Sequence, residues 1–266
     1  MQKINSFANE HPILFGLIVT IVFLLMLILS AILGNLWPGE ETYGQPGGIL
    51  GRLISIAIVL AVVSRLGWLR PAGFTSLGSW RTWLLSTLSL IYVIPLSTYA
   101  LTGSFGVPIF SVLPSGMVIL FILISASLEE FVFRGLILGG LVYAWGNTNR
   151  GVIKSVLVAS LLFCSIHLLD FLGGRLFLAV FLQSFEAFFL GVVLAVLVIR
   201  GRSIYPAFFF HGLLNIGAYL SFSYKGLEPS SASWLSLSLI MLLPALFGIY
   251  LLRKVSNRAI TGQSVA

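Results

Sequence analysis

The chain has 266 residues, of which 58% are hydrophobic and 9% charged, with a net charge of +7 and a mean hydropathy of +1.07. A soluble domain carries about 25% charged residues, so this composition excludes a water-solvated globule and implies a chain solvated by a lipid bilayer. The basic excess is spread over loops rather than gathered in a patch, so nucleic acid is not an expected partner. The single cysteine, Cys164, excludes an intrachain disulfide.

The first apolar run, residues 12–34, is longer than the apolar region of a signal peptide, and no small-residue cleavage site follows it. It predicts a spanning helix, the first of about eight, since runs of about 20 apolar residues recur along the chain. The remaining seven are 48–67, 82–102, 116–144, 152–171, 177–199, 206–222 and 233–252. Short loops with turn chemistry join them, for example W-P-G-E-E, W-G-N-T-N-R-G and R-G-R-S-I-Y-P. The expected fold is all-α: a polytopic membrane protein forming one transmembrane helical domain over residues 1–266, with a motif-bearing core at about 116–217.

Alternate loops are basic. Lys3, Arg65, Arg70, Arg81, Arg150, Lys154, Arg200, Arg202, Arg253, Lys254 and Arg258 fall on one side, while only Arg52, Arg175 and Lys225 fall on the other. The excess of positive charge on the inner side places both termini in the cytoplasm, in the cell (inner) membrane if the source is prokaryotic. Arg52 and Arg65, near the ends of the second span, are expected to snorkel to the interface.

Ionisable groups within the spans are costly, about 2.5–3.5 kcal/mol each at a helix centre on insertion scales. Those left after the loops are removed are Glu129, Glu130 and Arg134 in the fourth span, His167 in the fifth, Glu186 in the sixth and His211 in the seventh. Glu130 and Arg134 stand at i,i+4 with the acid first, the favourable order for an ion pair. Glu129 lies about 140° from Arg134 around an α-helix. Glu130–Arg134 therefore reads as a structural pair, and Glu129 as the carboxylate left for general-base chemistry.

Phe163 and His167 share one face of the fifth span, and His211 and Asn215 one face of the seventh. A glutamate and one histidine can activate a water. A second histidine and an asparagine can donate to an oxyanion, which completes a set able to hydrolyse an amide.

The motifs E-E-F-V-F-R, F-C-S-I-H and H-G-L-L-N, in this order on separate spans, resemble those of the CAAX-processing and bacteriocin-immunity (CPBP, or Abi) membrane proteases, the CAAX prenyl protease 2-like family. The resemblance implies a metal-independent glutamate protease without a cofactor. Glu129 would be the base, His167 would hold and polarise the water, and His211 with Asn215 would form the oxyanion site, with Glu130, Arg134 and Phe163 in support. It also implies a membrane-associated protein or peptide substrate, which in the family's eukaryotic members is prenylated. The residues leave other readings open. Two histidines and a carboxylate can hold zinc, although no H-E-x-x-H is present. Cys164 and His167 are spaced for a thiol pair, but no serine sits in G-x-S-x-G. Glu186, with Gln183 one turn away, would suit a proton-coupled transporter, and some members of the family are non-catalytic scaffolds or immunity proteins.

Overall fold

The computed structural model describes residues 2–39, 44–87, 115–221 and 231–253. Within them the chain is helical, with no strand. Helix α1 is Gln2–Glu10, α2 Pro12–Leu36, α3 Pro46–Arg65 and α4 Trp80–Thr87. Helix α5 covers Gly116–Trp145, and α6 starts at Asn149 and tightens into a 3-10 turn that carries it to Gly173. Helices α7 (Phe177–Gly201), α8 (Tyr205–Ser221) and α9 (Ser231–Leu252) follow.

Five of these, α2, α3, α5, α6 and α7, are long and apolar enough to cross a membrane. The lipid-facing side of α2 exposes Leu14, Ile18, Ile21, Leu25, Ile28 and Ile32, a stripe only a hydrocarbon solvent tolerates at this extent. The protein is an integral, multi-pass membrane protein. Of the other expected spans, 82–102 begins as α4 and lies beyond Thr87 outside the described residues. The spans expected at 206–222 and 233–252 are helices α8 and α9, the former 17 residues long and the latter carrying Pro244. Helix α1 escapes a search for apolar runs because it is polar on one side and buries only Ala8.

Local chemistry sets the helix ends. Pro12 and Pro46 open α2 and α3, where a missing N–H costs nothing. Ser115 and Thr148 cap α5 and α6 by accepting from the N–H groups of Val118 and Gly151. Hydroxyls inside the helices donate to the carbonyl four residues back, as Thr20, Ser55, Ser125, Ser127, Ser160 and Ser184 do. No hydroxyl among these six is left unsatisfied in an apolar solvent.

Glycines bring the helices together where the hydrophobic effect cannot. Gly47 and Gly51 line the face of α3 that meets α2. A Cβ on Gly51 would stand 2.7 Å from Ser30 Cα, and one on Gly47 would overlap the Leu33 carbonyl. Gly47→Ala is therefore expected to push α2 from α3 and to lower stability by at least the ~1–3 kcal/mol of an overpacked core. Gly116→Ala, whose Cβ meets nothing within 4 Å, should be neutral. Thermal unfolding of both variants in detergent checks this.

Helix α7 is the centre of the bundle, packing against α4, α5, α6, α8 and α9. On it Gly191 faces Ser160 of α6, so closely that a Cβ would stand 3.0 Å from the serine Cβ. In α5 the α-helix gives way to π-helix over Phe131–Leu138. Rotation per residue is smaller in a π-turn than in an α-turn, so the 140° expected between Glu129 and Arg134 does not apply across it. The loop before α4 braces this segment: Phe74 packs edge-on to Phe131 and lies where a side chain on Gly135 would be. Tyr205 Oη and Ile204 N donate to the carbonyls of Phe74 and Gly73, tying the same loop to the start of α8.

Candidate active site

Glu129 and Glu130 end the α-helical part of α5, immediately before the π-helix. The break falls between the two acids and Arg134. π-Turns within α-helices occur frequently at functional sites, because they re-aim side chains.

Glu130 is fully buried and Arg134 is 2% exposed. Arg134 Nη1 stands 3.1 Å from Glu130 Oε1 as an ion pair. Its Nη2 donates to the Gly191 carbonyl at 3.3 Å, and its guanidinium lies 4.4 Å over the Phe163 ring. The charge is thus held by one carboxylate, one carbonyl of α7 and one aromatic face.

The pair is not closed on itself. His211, 3% exposed on α8, places Nδ1 2.9 Å from the same Glu130 Oε1. Its Nε2 faces Glu129 Oε2 at 3.7 Å, within ion-pair range but beyond a hydrogen bond. Glu129 is 21% exposed and takes no closer partner among the described residues. One histidine therefore stands between two adjacent carboxylates, anchored to the buried one and facing the accessible one. Spacing alone assigned Glu130 to Arg134 and left its contact with His211 unseen, since that contact joins residues 81 apart in sequence.

Phe163 organises the rest. Its ring meets both His167 and His211 edge-to-face, with centroids 5.2 and 5.8 Å away, and packs on Phe133 at 5.2 Å. It separates the two imidazoles while fixing the plane of each. His167, half-buried at the end of α6, bonds through Nδ1 to the Phe163 carbonyl at 3.3 Å, which turns Nε2 away from its own helix. Glu129 and His211 lie within electrostatic range of His167, without direct contact. Asn215, half-buried, follows His211 by one turn of α8.

Of the other groups singled out by sequence, the Cys164 thiol donates to the Leu161 carbonyl of its own helix. Gln183 accepts from Arg175, which also pairs with Asp170 at 2.8 Å. Glu186 is half-buried within electrostatic range of His211. Among the described residues, no three of the His, Cys, Asp and Glu side chains form a group arranged to hold a metal ion. Arg52 reaches back toward the start of α3, where its Nη1 donates to Ser30 Oγ at 2.8 Å and the Gly48 carbonyl at 3.3 Å.

The family model described as Rce1-like, "Type II CAAX prenyl endopeptidase Rce1-like", matches residues 111–217. The matched stretch contains all three motifs and every residue of the arrangement above except Arg52 and the α2 and α3 groups around it. Neither a curated protein nor a solved structure matches the chain.

Proposed function

We propose that this protein, whose residues 111–217 match the Rce1-like type II CAAX prenyl endopeptidase model, is an intramembrane endopeptidase in which Glu129 activates a water. The observation that carries this reading is His211 between the two carboxylates, Nδ1 on Glu130 and Nε2 facing Glu129. Glu130 fixes the ring, and Glu129 is the acid with exposure and without a tight partner. In the reaction, Glu129 takes a proton from a water held also by His167, and the water oxygen adds to the scissile carbonyl carbon. The resulting oxyanion accepts hydrogen bonds from the Asn215 amide and from Nε2–H of His211 in its imidazolium form, whose Nδ1–H donates to Glu130. The C–N bond then breaks as Glu129 returns its proton to the leaving amine.

The substrate class proposed is a membrane-associated protein with a lipidated C-terminal segment, and the basic loops face the cytoplasm. No resident metal takes part in this scheme. The test is cleavage of a farnesylated peptide ending in a C-A-A-X sequence by purified protein in lipid nanodiscs, read by mass spectrometry. The expected result is one cut, at a rate unchanged by strong chelators. Loss of activity on chelation, restored by zinc, would replace this scheme with a metal-based one.

The oxyanion role predicts a separate outcome. Removing one such donor costs about 10²–10³ in rate, and a donor specific to the transition state leaves ground-state binding alone. Asn215→Ala is therefore expected to lower kcat by that factor, with KM within a few-fold and the melting temperature unchanged. A lower melting temperature with normal turnover per folded molecule would make Asn215 a helix-bridging residue instead.

A further inference from the structure

Arg52 is a part-buried cation near the start of α3, without a carboxylate in contact among the described residues. Its Nη1 donates to two neutral groups, Ser30 Oγ and the Gly48 carbonyl, and its Cζ lies 4.1 Å above the Phe121 ring. Its Nε is buried and has no hydrogen-bond partner among the described residues. The acid that shares its electrostatic environment is Glu129. A part-buried guanidinium paired only with neutral groups is costly at a span, and its planar fork suits a carboxylate.

Helix α5 gives the separation along its axis between the ring under that guanidinium and the general base. Phe121, on which the guanidinium rests, precedes Glu129 by eight residues, a rise of about 12 Å along the helix. An extended peptide covers about 10–11 Å in three residues. A peptide with its scissile carbonyl at Glu129 therefore brings a group about three residues further on to Arg52. The anion that every peptide carries at its end is the free α-carboxylate.

We infer that Arg52 is the anchor for the substrate's C-terminal carboxylate, setting where the chain is cut by measuring from its end. This rests on the peptidase reading above, and it adds a specificity residue on α3, outside the segment 111–217 that the family model matches. The rival is a purely structural role, in which Arg52 ties α3 to α2 through Ser30.

The experiment compares one fluorescent farnesylated peptide as the free acid and as the C-terminal amide. Binding is measured to full-length Glu129→Gln in nanodiscs, and cleavage to wild type. The free acid is expected to bind about tenfold or more tighter than the amide, as a charge-assisted hydrogen bond supplies. Adding Arg52→Gln should erase the preference by weakening the acid alone, and Arg52→Lys should restore part of it. In cleavage, Arg52→Gln should raise KM for the acid and leave kcat within a few-fold. Equal binding of acid and amide to protein with Arg52 intact overturns the inference, whether or not any Arg52 variant folds. So does a preference that survives in Arg52→Gln. Wild-type protein that prefers the acid yet cuts neither peptide contradicts the peptidase reading and leaves the anchor standing, whereas cutting both equally removes only the anchor.

Discussion

Glu129→Gln is expected to reduce cleavage by about 10²–10⁴-fold, the range that a positioned general base contributes, while the protein melts as the wild type does. The substitution keeps the shape of the side chain and removes only its ability to take a proton. Glu129 has little structural work to lose. It is 21% exposed, its nearest partner is His211 Nε2 at 3.7 Å, and no hydrogen bond ties it among the described residues. Single-turnover cleavage and thermal unfolding on the same preparation measure both quantities. Activity near wild type in Glu129→Gln would remove it from the chemistry.

Glu130→Gln is expected to act in the opposite way, through folding. Glu130 is fully buried, and its Oε1 serves Arg134 at 3.1 Å and His211 at 2.9 Å. The amide can still accept from His211, but it leaves Arg134 buried without a counter-charge. Breaking one side of a buried pair costs about 3–5 kcal/mol. Low yield and a markedly lower melting temperature should follow, and any folded fraction should turn over slowly because a neutral amide holds the His211 ring less firmly than a carboxylate does. A Glu130→Gln protein that melts normally and is inactive, beside an active Glu129→Gln, would exchange the two roles.

The two adjacent acids show how far the sequence could be read. Apolar run lengths located α2, α3 and α7 to within about two residues of their ends, because an uninterrupted apolar stretch in lipid has few alternatives to a helix. The i,i+4 spacing anticipated the Glu130–Arg134 pair, since both partners lie on one helix. Three features escaped because none is periodic. The π-helix at Phe131–Leu138 carries no composition that distinguishes it from the α-helix around it. The His211–Glu130 bond depends on how α8 packs on α5. The hold on Arg52 depends on Gly48 and Ser30 belonging to two helices that meet, which spacing within either one cannot reveal. The close approach of α2 and α3 at Gly47 and Gly51 creates that last site.

In the proposed mechanism Glu129 works as a base on water rather than as a nucleophile. A single turnover in water enriched in ¹⁸O tests it most directly, with both product and enzyme analysed by mass spectrometry. The predicted result is one ¹⁸O in the newly formed carboxylate of the substrate and none in the Glu129 side chain. Label in the Glu129 carboxylate, with unlabelled product in the first turnover, would mean an acyl intermediate on that residue and would contradict the mechanism.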